Sequence, residues 1–285
     1  MSTLTIKATL DQASKVLSTS VDNARLEVEL LLAQVLNKSR SYLFTWPDKV
    51  LDQNQIEYFN TLVQERLKGK PIAYILGKRE FWTLDLTVTP DTLIPRPETE
   101  LLVELALEQI PLDANYQVLD LGTGTGAIAL AIASERPNSH VTAIDQSTAA
   151  LIVAQLNAQR HQITNISFLE SNWFTTLDQQ STRPVFNIII SNPPYIANND
   201  VHLTQGDVRF EPMSALVSGE TGLDDIRIII ESAPKFLARN SWLLIEHGYD
   251  QGRKARELFQ NRGFSHIKTI QDLSHNDRVT LGHYN

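Results

Sequence analysis

The feature that most constrains the fold is a regular alternation of helix-like and strand-like segments from residue 98 to the end of the chain. Apolar residues at helical spacing mark helices at 98–109, 126–135, 147–160, 223–239 and 250–262, and short apolar runs mark strands at 117–121, 140–144, 166–169, 186–191 and 242–246. Such βα repetition predicts a mostly parallel sheet with helices on both faces. Two further strand-like segments, 266–271 and 278–283, are separated by the turn around Ser274-His275-Asn276-Asp277 and should pair as an antiparallel edge hairpin, making seven strands in all.

The chain ahead of this region reads differently. Ala24, Val28, Leu31, Leu32 and Val35 share one helical stripe, and Ile56, Phe59, Val63 and Leu67 another. Asp22 and Asp52 are placed to cap these helices, and Gly69 with Pro71 stops the second, so residues 1–70 are expected to form a bundle of four or five helices. Alternation through Phe81-Trp82-Thr83-Leu84-Asp85-Leu86-Thr87-Val88, followed by prolines at 90, 95 and 97, predicts a hairpin linker over 71–97 that holds an extended path. The third unit then runs over 98–285.

Composition narrows the chemistry. Without cysteine there is no disulfide framework, thiolate zinc site or cysteine nucleophile. No run approaches the ~18 apolar residues of a membrane span, and the start MSTLTIKATL lacks the order of a secretory signal, so a cytoplasmic protein is expected. A net charge of -8 argues against a surface that neutralises many phosphates, although the basic stretch from Arg66 to Arg79 could meet RNA or an acidic partner if it is not simply solvated.

Val118-Leu119-Asp120-Leu121 is a strand running into Gly122-Thr123-Gly124-Thr125-Gly126 and then a helix. Glycines belong where the backbone turns sharply and a ligand touches it. Gly122, Gly124 and Ala127 also satisfy a dinucleotide fingerprint, so the loop alone leaves a dehydrogenase open. Asp120 separates the two: a carboxylate there opposes a pyrophosphate but suits the cationic methionine end of S-adenosylmethionine. Asp145, ending the next strand, stands where such folds bond ribose hydroxyls, the alternative being an N-cap of the following helix, for which Ser147 and Thr148 are also candidates. In Ser171-Asn172-Trp173-Phe174, Asn172 could bond the adenine edge and Trp173 pack near the ring, or Trp173 could be plain core.

The strand 186–191 delivers Asn192-Pro193-Pro194-Tyr195 at its carboxyl end, the edge where α/β sheets bind ligands. The prolines stiffen the loop and remove two N–H donors, leaving main-chain carbonyls as acceptors. With the Asn192 side-chain oxygen and the Pro193 carbonyl accepting both N–H bonds, and Tyr195 stacking on the flat group, the loop is a receptor for a planar NH₂ nitrogen. An amide lone pair is delocalised, so holding the nitrogen in line with a methyl carbon matters more than a general base, and neither a metal nor a catalytic histidine is required.

These blocks, with GKREFW (77–82), IPRPETE (94–100), DLGTGTGAIALA (120–131), SNPPYI (191–196), GDVRFEP (206–212), EHG (246–248) and NDRVTLG (276–282), closely resemble the HemK/PrmC family of release factor glutamine methyltransferases over almost the full length. The resemblance implies a class I S-adenosylmethionine-dependent, Rossmann-like α/β domain preceded by a helical domain that docks the protein substrate. It implies methylation of the glutamine amide in the Gly-Gly-Gln motif of class I peptide chain release factors, with S-adenosylhomocysteine as product, by a monomer without a nucleic-acid requirement. Cofactor contacts then fall on Gly122 through Gly126, Asp145, Trp173 and Asn192, and substrate contacts on Asn192, Pro193, Pro194 and Tyr195. Asn172 departs from the pattern, standing where relatives often carry an acid, as do Ser274-His275 in the edge turn. Arg96 and Glu98 match a family block as either site residues or linker tethers. A nucleic-acid amino methyltransferase, which would meet the same NH₂ geometry, and a non-enzymatic adaptor are the competing functions.

Overall fold

The computed structural model of the chain describes residues 4–285. They form two compact units, one spanning the chain up to Gly77 together with Thr204–Phe210, the other Lys78–Leu203 with Glu211–Asn285.

The first unit holds five helices among the described residues: α1 (Ile6–Leu17), α2 (Ala24–Leu36), α3 (Arg40–Thr45), α4 (Gln53–Leu67) and α5 (Ile72–Leu76). Their apolar stripes bury Ile6, Leu10, Val28, Leu31, Leu32 and Phe59 in one core. Asp52 caps α4 through a reciprocal box with Gln55. Asp22 does not cap α2: the residue at that position is Asn23, and it makes no side-chain capping bond. The basic stretch is not wholly solvated either. Arg66 is buried, with Nε 2.6 Å from Glu27 and Nη1 3.1 Å from Asp207, so this guanidinium fastens the 204–210 segment to the bundle.

The second unit opens with an antiparallel hairpin, β1 (Lys78–Phe81) and β2 (Leu84–Thr87). One 3₁₀ turn, Pro97–Thr99, leads into α6 (Glu100–Gln109), a start two residues later than expected because Pro97 seeds the tighter turn. Then follow β3 (Gln117–Leu121), α7 (Ala127–Glu135), β4 (His140–Asp145), α8 (Thr148–Arg160), β5 (Ile166–Glu170), the short α9 (Thr175–Asp178), β6 (Phe186–Ser191), α10 (Asp224–Ser232), β7 (Leu237–Glu246), α11 (Gly252–Asn261), β8 (Ser265–Gln271) and β9 (Asp277–Tyr284). The helix expected over 223–239 stops at Ser232, since Pro234 cannot continue it, and the freed residues lengthen β7.

The seven strands lie in the order β5-β4-β3-β6-β7-β9-β8, parallel except that β9 is antiparallel to both neighbours. The chain builds outward from β3 on one side and then crosses to β6 on the other. This switch opens a crevice at the carboxyl ends of β3 and β6. Among the described residues no helix is long and apolar enough to cross a membrane.

Asn157 of α8 joins the hairpin to the glycine loop. Fully buried, it accepts from Thr87 N at 2.7 Å and donates to Thr87 O at 3.0 Å and Thr125 O at 2.9 Å. Replacing it by alanine orphans three backbone groups. Asn157→Ala is expected to lower stability by about 2–3 kcal/mol in urea denaturation; a variant as stable as wild type would show that these bonds contribute nothing net.

Candidate active site

Strand register assembles the site. Leu121 of β3 pairs with Ile144 of β4 on one side and Ser191 of β6 on the other, and Ser191 pairs in turn with Ile245 of β7. The four residues that follow, Gly122, Asp145, Asn192 and Glu246, therefore emerge side by side along one edge. Ser191 Oγ locks the junction by donating to Leu121 O at 2.8 Å.

The glycine loop turns back over this edge, with Gly122 N and Thr123 N both donating to Ile144 O. Gly122, Gly124 and Gly126 all have positive φ, a conformation that disfavours other residues. Their surroundings differ. A side chain on Gly124 would meet open space and one on Gly122 only the Trp173 ring at 3.5 Å, whereas one on Gly126 would press on Leu130 and Ala154. Gly126 is thus a packing glycine, and Gly122 and Gly124 are the two that face open space.

That space is a cavity of about 330 Å³, in the range of small-molecule sites. Of the residues singled out in the sequence, Gly122, Gly124, Asp145, Asn172, Trp173, Asn192 and Pro194 line it. Asp120, Thr123, Thr125, Gly126, Pro193 and Tyr195 do not. Asp120 lies beneath the loop, wholly buried, its Oδ2 accepting the Thr123 hydroxyl at 2.6 Å and its Oδ1 without a hydrogen-bond partner. Burial pushes its carboxyl up to about 7, with Thr123 opposing and Asp145 adding to the rise.

Asp145 is not the cap of α8; Ser147 is, accepting from Ala150 N. The Asp145 carboxylate instead braces the loop, accepting from Gly124 N at 2.8 Å through Oδ2 and from Ser147 N at 2.9 Å through Oδ1. Burial raises its pKa against these bonds. Trp173 has positive φ and donates its indole N–H to Asp225 Oδ1 at 3.0 Å. Asn172 is exposed at the cavity wall.

Asn192 donates through Nδ2 to Thr99 Oγ1 at 3.2 Å, which leaves Oδ1 as the acceptor end of the amide. Gln251 holds the same loop from behind, donating to the Tyr195 carbonyl at 3.0 Å. The Tyr195 hydroxyl lies 3.4 Å from Glu246 Oε1, and burial raises its pKa. Arg96 and Glu211 pair, and Glu211 also accepts from Ile94 N at 3.1 Å, so Arg96 tethers the proline-rich segment. Sequence reasoning missed Thr99, Glu246 and Gln251 as supports, and Asp91–Leu93, Asp225 and Ile228 as cavity walls. For Glu246 a signal existed: an acid at the carboxyl end of a parallel strand.

Two loops meet at the switch point, one of bare glycine backbone and one whose Asn192 amide is held by Thr99, and both border the cavity. Known families match both units. Residues 8–77 match the PrmC N-terminal domain and residues 112–275 a Methyltransferase domain. The release factor glutamine methyltransferase of Vibrio cholerae is 51% identical over 99% of this chain and 97% of its own length. The chain belongs to the release factor glutamine methyltransferase family. The protein of the same name from Pseudomonas aeruginosa is 52% identical over 92% of this chain and 93% of its own. A methyltransferase structure from Pyrococcus furiosus, 17% identical, shares the fold at a TM-score of 0.54, covering 77% of this chain and 96% of that one. The family makes the chain an enzyme, and the glycine loop and Asn192 segment lie inside its methyltransferase domain.

Two buried carboxyls should leave a mark on stability. Burial raises Asp120 from 3.8 and Glu246 from 4.5, each to about 7, so between those values the native state keeps protons that the unfolded chain has released. Their contribution is full below the unfolded values and is lost as pH rises through about 7. Asp120→Asn, which keeps an acceptor for Thr123, should lose less stability than wild type between pH 5 and pH 8 in denaturant titrations. Parallel losses in both proteins would sink this account.

Proposed function

We propose that this enzyme transfers the methyl group of S-adenosylmethionine to the side-chain amide nitrogen of the glutamine in the Gly-Gly-Gln motif of class I peptide chain release factors, with S-adenosylhomocysteine as product. The observation that carries the reading is the Asn192 amide, anchored through Nδ2 on Thr99 so that its oxygen remains to receive an N–H at the wall of the cavity. The shared name of relatives about half identical over nearly the whole chain supports the release factor as the substrate.

The residues fit the cofactor. Gly122 and Gly124 offer bare backbone, Asp145 has carboxylate lone pairs left for ribose hydroxyls, and Asn172 and Trp173 stand at the same wall for the adenine. The buried Asp120, its carboxyl raised to about 7, ionises more readily beside a cation and less readily beside a pyrophosphate, so the ground under Gly122–Gly126 favours a cation. Bound there, S-adenosylmethionine supplies a methyl carbon activated by its sulfonium. Asn192 Oδ1 and the Pro193 carbonyl accept the two amide N–H bonds, and Pro194 and Tyr195 flank the planar group. Holding the nitrogen at a fixed angle is the main contribution of the chain, because a delocalised lone pair reacts only along one direction. The reading places the enzyme in the cytoplasm as a monomer, with the helical unit docking the protein substrate and no direct need for nucleic acid.

Labelled S-adenosylmethionine and purified release factor test it. Asn192→Ala should cut the rate by roughly 10²–10³, and replacing the target glutamine by alanine should abolish labelling. An undiminished rate in Asn192→Ala would remove the amide receptor. Asp145→Ala should weaken cofactor binding about tenfold or more in calorimetry; unchanged affinity would restrict Asp145 to bracing the loop.

A further inference from the structure

We infer that Thr99 and Glu246 are positioning residues for Asn192, fixing through the polarity of one shared hydroxyl which end of its amide faces the substrate. This rests on the reading that the Asn192 oxygen receives the glutamine amide.

The three groups come from separate parts of the fold. Thr99 closes the 3₁₀ turn before α6, Asn192 follows β6, and Glu246 ends β7 one residue beyond Ile245, the partner of Ser191. Thr99 is 4% exposed and Glu246 1%, so water does not compete for their bonds. Asn192 Nδ2 donates to Thr99 Oγ1 at 3.2 Å, and the Thr99 hydroxyl in turn faces the Glu246 carboxylate. Glu246 Oε1 lies 3.4 Å from the Tyr195 hydroxyl, while Oε2 has no hydrogen-bond partner.

A hydroxyl carries one proton and two lone pairs. An ionised Glu246 only accepts, so it draws the Thr99 proton and leaves a lone pair for Asn192 Nδ2. The Asn192 oxygen then points to the cavity, where an incoming NH₂ needs an acceptor. A neutral Glu246 has a proton of its own to give to Thr99. The Thr99 proton is then free to bond Asn192 Oδ1, and the amide can turn to present an NH₂ group to another NH₂ group. The charge on Glu246 thus selects the productive orientation.

The groups facing Glu246 set that charge. Burial favours the neutral acid, and Glu98 adds to this; Thr99, the Arg278 cation and the Tyr195 hydroxyl favour the anion. The balance places its titration at about 7. Glu246 does not line the cavity, and its effect passes through Thr99.

Thr99→Val keeps the shape and removes the hydroxyl. We expect its kcat to fall on the order of 10²-fold, with the cofactor Kd by calorimetry and the KM for release factor nearly unchanged, and Thr99→Ser to recover most of the loss. Wild-type kcat should rise with pH through about 7, and Glu246→Gln should be slower and lack that rise. Wild-type kcat in Thr99→Val, equal impairment in Thr99→Ser, or a persisting rise in Glu246→Gln would each overturn the relay. Asn192→Ala separates the two ideas. If it stays active the amide receptor itself fails, whereas an inactive Asn192→Ala beside a fully active Thr99→Val defeats the relay alone.

Discussion

The site depends on the register of four neighbouring parallel strands. Leu121, Ile144, Ser191 and Ile245 stand level across the sheet, so the chain leaves β3, β4, β6 and β7 at one height. Side chains alternate faces along a strand, and a slip of one residue would exchange the sets that pack in the two cores on either side of the sheet. The apolar residues of β3, β6 and β7, buried on both faces of the sheet, forbid that slip. Core packing therefore places Gly122, Asp145, Asn192 and Glu246 beside one another, although they lie far apart in the chain.

The electrostatics follow from that alignment. Asp120, Asp145 and Glu246 are all drawn out of water at one end of the sheet, and burial raises the pKa of each. An anionic ligand would add to the repulsion, whereas a cation near the loop relieves it. Asp145 illustrates the compromise. Its two oxygens hold the backbone N–H groups of Gly124 and Ser147, so it shapes the loop while it lines the cavity.

Much of this was legible in sequence because it is local. The strand 117–121 and its glycine loop, the strand 186–191 and its Asn-Pro-Pro-Tyr turn, and the edge hairpin announce themselves through periodicity and turn chemistry. Misses came where distant residues decide. Asn23 rather than Asp22 precedes α2, and neither capping propensity nor spacing distinguishes the two. Arg66 reads as one more surface cation until Glu27 and Asp207 close on it. Thr99 reads as a residue at a helix start, and only the fold brings it to Asn192, 93 positions away. Pro234, by contrast, was a readable signal: the break it imposes on the expected 223–239 helix requires no tertiary information.

The supports behind Asn192-Pro193-Pro194-Tyr195 explain how this loop is held in one place. Two prolines restrict its backbone from within, but they cannot set where it sits. Gln251 does that from behind by donating to the Tyr195 carbonyl, while its own Oε1 accepts from Gly248 N at 2.9 Å. Thr99 holds the side chain of Asn192, and Glu246 meets the hydroxyl of Tyr195. Opposite, Glu211 joins Ile94 and Arg96, so the proline-rich segment is pinned at a buried carboxylate. Each support comes from a different element, and each engages a polar group that burial would otherwise leave costly. Rigidity of the loop and satisfaction of its buried polar atoms are thus achieved by the same bonds, and loosening one would cost stability as well as alignment.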